Sequence, residues 1–204
     1  YTPGDDAPVQ VTSGDFDDSD PVWSPDGKSI AFVSDRSSNA DLNYGSDVWS
    51  VMVDENNHPL TQVTTHAGRD YSPAWSPDSK SVAYITTSGP DIGGSALTPT
   101  RHLATTRVGQ DERSVLTPDL DRNLSNPTFS DDGKTIYFRL EDEGQNHLAS
   151  VDVDGENLER IIERQVSIGS FAIHGQTAVL TMGQAHQPSE VFSYRNGDLR
   201  QLTN

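Results

Sequence analysis

The chain contains no cysteine. Disulfides and thiolate chemistry are therefore excluded, and a zinc site would have to be built from histidine and carboxylate alone. Basic residues are scarce: 14 Lys and Arg stand against 31 Asp and Glu, a formal charge of −17 on 204 residues. Nucleic acid and anionic membrane surfaces would repel such a chain, so neither is expected as a partner. No run approaches the roughly 18 apolar residues of a membrane span. The opening "YTPGDDAPVQ" lacks the basic and then apolar pattern of a secretory leader, and the compartment, cytoplasm or periplasm, stays open. Apolar residues make up only 32% of the chain, yet its three Trp, six Tyr and six Phe fall inside patterned segments.

Those segments repeat. "DPVWSPDGKSIAFVSDR" (Asp20–Arg36) returns as "SPAWSPDSKSVAYITTS" (Ser72–Ser88) and as "NPTFSDDGKTIYFRLED" (Asn126–Asp142). The turn serines Ser24, Ser76 and Ser130 lie 52 and 54 residues apart. A second marker, the Thr closing "QVT", "QVT" and "VLT", falls at Thr12, Thr64 and Thr117 with spacings of 52 and 53. A shorter, more worn unit runs from Val166 to Thr203 and ends in "RQLT". Self-similarity at this period marks a repeat architecture.

Each unit reads as four strands. In the first, Pro21–Ser24 is extended and Ser24-Pro25-Asp26-Gly27 forms a tight turn. Pro sets φ at the second position, and Gly accepts a left-handed conformation at the fourth. Ser29–Ser34, Asp47–Val53 and Pro59–Thr64 follow, separated by turn signals. The second unit gives Ala83–Thr87, His102–Val108 and Ser114–Thr117. The third gives Thr135–Leu140, His147–Val153 and Leu158–Ile162. The fourth unit gives "SFAIHG", "TAVLTMG", "EVFSYR" and "LRQLT". No window sustains a period of 3.6, so almost no helix is expected. Four antiparallel strands in about 40–50 residues is the signature of a propeller blade. The expected fold is all-β: a partial β-propeller of about four blades, near 13–64, 65–117, 118–164 and 165–204. Pro8–Thr12 repeats the outermost-strand word and is expected to belong to a preceding blade, as in a chain cut from a larger propeller. An open arc of this kind exposes two blade faces, which predicts self-association.

Several residues acquire structural roles on this reading. Trp23, Trp75 and Phe129 precede the turn and are expected to pack between blades. Ile30, Val82 and Ile136 share one face of the second strand with Phe32, Tyr84 and Phe138. Lys28, Lys80 and Lys134 are expected to face solvent. Ser79 replaces the turn glycine and is expected at positive φ, at a cost of about 1 kcal/mol.

The repeat word "WSPDGKxIAF" followed by "QVT" or "QLT" resembles the TolB-type propeller repeat. The third unit, "LTPDLDRNLSNPTFSDDGKTIYFRLEDEGQNHLASVDVDGENLERII", is similar to the propeller of the prolyl oligopeptidase family of serine peptidases. The likeness is to the acylaminoacyl-peptidase and dipeptidyl-peptidase branches. "HQPSEVFSYRNGDLRQLTN" resembles the last blade of those propellers. The resemblance implies a propeller that restricts peptide access to an α/β-hydrolase domain, with that domain and a peptide as partners. It equally leaves open a TolB-type interaction propeller without catalysis. The family's nucleophile lies in a Gly-x-Ser-x-Gly elbow. "GGSAL" (Gly93–Leu97) lacks the second glycine, so this chain supplies no catalytic residue, and no cofactor is expected.

Loops remain as candidate sites. Insertions at Arg36–Ser46 and Ser88–Arg101 share one rim with the inter-blade loops, and binding surfaces gather on such rims. Arg69, Asp70, Tyr71, Asp121 and Arg122 lie there as candidate contacts for a peptide or a neighbouring domain. "SGDFDDSD" carries Asp15, Asp17, Asp18 and Asp20, a weak cation candidate, because it lacks the glycine and bidentate Glu of a calcium loop. The six histidines show no metal-binding spacing, and Asn123-Leu124-Ser125 fits the glycosylation triplet.

Overall fold

A computed structural model describes residues 9–38, 40, 45–53, 57–66, 68–87, 100–162, 164, 166–184 and 186–204. Among the described residues sixteen strands form four sheets of four antiparallel strands, each sheet in chain order. The first holds β1 (Asp18–Trp23), β2 (Ser29–Ser34), β3 (Asp47–Met52) and β4 (Leu60–Gln62). The second holds β5 (Asp70–Trp75), β6 (Ser81–Thr87), β7 (Arg101–Arg107) and β8 (Arg113–Val115). The third holds β9 (Asn123–Phe129), β10 (Thr135–Asp142), β11 (Gln145–Asp152) and β12 (Glu159–Arg160). The fourth holds β13 (Ser167–His174), β14 (Thr177–Gln184), β15 (Gln187–Arg195) and β16 (Asp198–Gln201). Among the described residues there is no α-helix. The architecture is that of a β-propeller, as the repeat predicts.

Three apolar cores lie between successive sheets. Ala31, Val48, Trp75, Val82 and Tyr84 pack the first joint, and Ile85, Leu103, Ile136 and Phe138 the second. Leu148, Ile168, Leu180 and Met182 pack the third. The aromatic before each turn takes the same register: Trp23 pairs with Ile30, Trp75 with Val82 and Phe129 with Ile136. Burial differs among them. Trp75 is buried, and its indole N–H donates to the Val22 carbonyl at 3.2 Å. Phe129 is half-buried against the second core. Trp23 is 57% exposed, against expectation, because no described sheet covers its side of the first blade.

The turn is self-solvating and is stamped out three times. The Ser24 hydroxyl donates to Asp26 Oδ1 (2.7 Å) and accepts from the Ser29 N–H (2.9 Å), while Asp26 Oδ1 also accepts from the Lys28 N–H (3.1 Å). Ser76–Asp78 and Ser130–Asp132 repeat the set. These bonds favour the ionised form, so the carboxyls of Asp26, Asp78 and Asp132 are all lowered, in each case first by the serine hydroxyl. The three lysines are exposed. Ser79 sits at φ 59°, against 71° at Gly27 and Gly133.

The threonine of the second marker is also a structural piece. Thr64, Thr117 and Thr203 each accept a backbone N–H from the third strand of their sheet (Val48, Leu103 and Val191), all at 2.9 Å. These contacts end the outer strands early. β4, β8 and β12 are shorter than expected, since an outermost strand has a neighbour on one side only. The same logic applies to residues 9–12. They lie in no strand, because among the described residues nothing pairs with them.

A regular bulge was not foreseen. In the first three sheets two residues of the innermost strand face one aromatic of the next: Asp20-Pro21 faces Phe32, Ser72-Pro73 faces Tyr84, and Asn126-Pro127 faces Phe138. Asp20, Ser72 and Asn126 all adopt positive φ, between 49° and 56°. Proline suits the second bulge position because it has no N–H to leave unpaired.

Candidate functional site

Antiparallel order puts the starts of β1, β5, β9 and β13, with the ends of the strands beside them, on one rim. All the sequence-derived candidates fall there, though in separate groups. Arg69 is exposed. Its N–H donates to Thr87 Oγ1 (3.0 Å), and its guanidinium carbon lies 6.0 Å from the centroid of the Tyr71 ring. Tyr71 is half-buried against the second core, and burial raises its phenol. Asp70 is not a surface residue. It is 1% exposed, and burial raises its carboxyl. Opening β5 between two neighbouring sheets takes its side chain into the joint.

Asp121 and Arg122 are exposed at the next joint. Arg122 Nε meets Asp142 Oδ1 at 2.5 Å, and its Nη1 donates to the Asp121 carbonyl at 2.6 Å. Arg160 takes the other oxygen of Asp142. Asp142 thus sits between two guanidiniums, and its carboxyl is lowered, first by the Arg122 hydrogen bond. Asp121, Arg122, Glu141 and Glu143 line a shallow depression of about 520 Å³. The structure therefore assembles an ionic patch at this joint, with charges of both signs held in fixed positions. Such a patch can orient the charged groups of a peptide or of a docked domain.

The acidic loop resolves into one structural contact and three solvated residues. Asp18 accepts two hydrogen bonds from Arg36 Nη2, both at 2.8 Å. Asp15, Asp17 and Asp20 are exposed, and Asp20 forms the first bulge. Among the described residues no three metal-ligating side chains come together. Residues 88–99, which include "GGSAL" and most of the second insertion, lie outside the described residues, as do 39 and 41–44 of the first.

Sequence reasoning missed Arg36, Asp47, Asp142 and Arg160. Arg36 closes the opening phrase, yet its partners come from separate segments. Its guanidinium carbon lies 4.9 Å from the centroid of Phe16, 5.4 Å from Phe32 and 5.6 Å from Trp49. Asp142 and Arg160 end strands of one sheet but are eighteen positions apart. No local pattern announces either set.

A repeated four-stranded sheet, a serine–aspartate turn and apolar joints between blades define a class of protein. The TolB β-propeller domain matches residues 4–173, and the chain belongs to that family. Its relatives include dipeptidyl-peptidase 5 of Porphyromonas gingivalis, 26% identical over 207 residues, covering 97% of this chain and 28% of that protein. The chain thus spans about a quarter of the length of the curated relatives it matches. TolB from Acinetobacter baumannii superposes with a TM-score of 0.72 at 17% identity, over 97% of this chain and 46% of that one. Prolyl oligopeptidase B from Galerina marginata gives 0.67 at 13% identity, over 93% and 29%. The chain is a TolB-type propeller related to the propeller regions of peptidases.

Proposed function

We propose that the chain is the non-catalytic propeller portion of a serine peptidase, gating or scaffolding peptide access to an α/β-hydrolase domain outside these 204 residues. The observation that carries this reading is the alignment with a dipeptidyl-peptidase over 97% of the chain. In support, the ionic patch of Asp121, Arg122 and Asp142 offers fixed charges on the rim where a second domain or a peptide would bear. Thr12 supports a preceding blade, because it repeats the word whose threonine caps a third strand in three of the four sheets. The two open blade faces would then be covered by further blades of the same protein, or by a second copy.

The test has two arms. A serine-directed fluorophosphonate is applied to the 204-residue chain, and no labelling or peptide hydrolysis is expected; a labelled, active chain overturns the assignment. The gene is then read onward. A downstream Gly-x-Ser-x-Gly followed by Asp and His supports the peptidase reading. A stop codon or further blades instead supports an interaction propeller of the TolB type.

A further inference from the structure

The joint between the first and second blades carries an electrostatic arrangement unlike the other two. Its seam is a short parallel bridge between Ser46 and Arg69. The Asp70 N–H donates to the Ser46 carbonyl at 2.8 Å, the Ser46 hydroxyl donates back to the Asp70 carbonyl at 3.1 Å, and the Ser46 N–H reaches the Gly68 carbonyl at 3.4 Å. Two carboxylates flank this seam, Asp47 from the start of β3 and Asp70 from the start of β5. Asp47 accepts from Thr64 Oγ1 (3.2 Å) and Gln62 Nε2 (3.0 Å). Asp70 is buried, and its Oδ2 has no hydrogen-bond partner. The Tyr84 hydroxyl and His66 Nδ1 are likewise buried without partners.

The groups facing the pair decide its charge balance. Asp35, just beyond β2, adds a third negative charge near Asp47. Asp70 is faced by His66 from the inter-blade loop, by Arg113 from β8, and by the hydroxyls of Thr86 and Thr64. Tyr84 on β6 feels both carboxylates, and its phenol is raised by burial and then by Asp70. Arg113 also donates to Thr86 Oγ1 at 3.4 Å. Among the described residues, no guanidinium bonds either carboxylate, in contrast to Asp142 with its two arginines. Burial, then the charge on Asp70, pushes the Asp47 carboxyl up to about 6.

We propose that this joint is a proton-controlled latch: Asp47 and Asp70 hold the first two blades together while one of them is protonated and push them apart when both are ionised. The parallel register of Ser46 with Arg69 makes Asp47 and Asp70 the next facing pair. With Asp47 half-buried and Asp70 buried, two ionised carboxylates there repel and go undersolvated, a cost that a single proton removes. The latch is independent of the peptidase reading, since it needs only the blade joint. It makes the rim geometry around Arg69 and Tyr71 respond to pH. The sign follows from the direction of the shift. Both carboxyls are raised above the unfolded value of 3.8, so the stabilisation is full below that value and is lost as pH rises through about 6.

The experiment is amide hydrogen exchange on the 204-residue chain at pH 5.0 and 7.5, corrected for the intrinsic exchange rate. Protection at 46–48 and 69–71 is compared with that at 148–151. In the wild type, protection at the first joint is expected to fall about tenfold relative to the reference between the two pH values. Asp47→Asn is expected to keep it high at both, and Asp70→Asn serves the same purpose should Asp47→Asn fail to fold. His66→Gln is expected to leave the profile in place. A flat wild-type profile overturns the latch, as does a profile abolished by His66→Gln. Protection restored at pH 7.5 by millimolar Ca2+ or Mg2+ would show a cation site instead and also overturns it.

Discussion

The backbone N–H of Ser170 donates to the Thr181 hydroxyl at 2.9 Å, at the bulge where the other three blades place Pro21, Pro73 and Pro127. The fourth blade thus satisfies with a hydroxyl the donor that the others remove. The exchange explains the neighbouring glycine too: a Cβ at Gly169 would come within 2.6 Å of Thr181 Oγ1. Ser170 is exposed, so Thr181→Val is expected to hand its N–H to water and cost about 0.5–1.5 kcal/mol in urea unfolding. Adding Ser170→Pro, which deletes that donor, should recover part of that loss. A double mutant no more stable than Thr181→Val would refute the shared role of the second bulge position in the four sheets.

Arg36 pins the outer side of the first blade. It is bonded to Asp18 and to the Ser13 carbonyl, and it lies against three aromatic rings with its side chain only 8% exposed. Arg36→Ala is expected to destabilise by about 2 kcal/mol, and Arg36→Lys by nearly as much, because an ammonium cannot lie flat among the rings as the guanidinium does while bonding both Asp18 and the Ser13 carbonyl. Equal stability of the lysine variant and the wild type in thermal melts would show that only charge matters there.

Ser79 combines strain with a useful contact. Its hydroxyl accepts the Asp26 N–H at 3.1 Å and so ties the turns of adjacent blades, while its φ of 59° costs about 1 kcal/mol. Ser79→Ala keeps the strain and loses the bond, and should destabilise by about 1 kcal/mol. Ser79→Gly loses the bond but relieves the strain, and should be close to neutral. The reverse order of the two variants in chemical denaturation would contradict this account.

Acid should act oppositely to the latch. The Asp142 carboxyl is lowered, so its contribution is present above the unfolded value of 3.8 and is lost as pH falls below it. Asp26, Asp78 and Asp132 act in the same direction. Melting temperature should therefore drop below about pH 4, and Asp142→Asn should flatten part of that drop. An unchanged acid limb in Asp142→Asn would remove the Arg122–Asp142–Arg160 set from the stabilising interactions.

The repeat made the sheets legible because every part of its phrase acts locally. Ser24, Asp26 and Ser29 bond within five positions, and Phe32 alternates with Ala31 on a two-residue period. The worn fourth unit could still be read for the same reason: its strands alternate along β14 with one side buried. Burial was less legible. Trp23 and Trp75 occupy equivalent words, but one is exposed and the other covered, because burial depends on the neighbouring blade rather than on the phrase. The rim candidates divided along the same line. Arg69 and Arg122 face solvent as loop residues tend to, whereas Asp70 is carried into a joint by the packing of two sheets.

The sequence by itself determined the blade's strands and its self-bonded serine–aspartate turn, because alternation and the turn's bonds act within a few positions of residue order. Only the tertiary structure decided which carboxylates share a joint, which arginine lies among three rings and which tryptophan meets water. Those outcomes depend on how separate sheets lie against one another, and burial and charge act through space, whatever the distance along the chain.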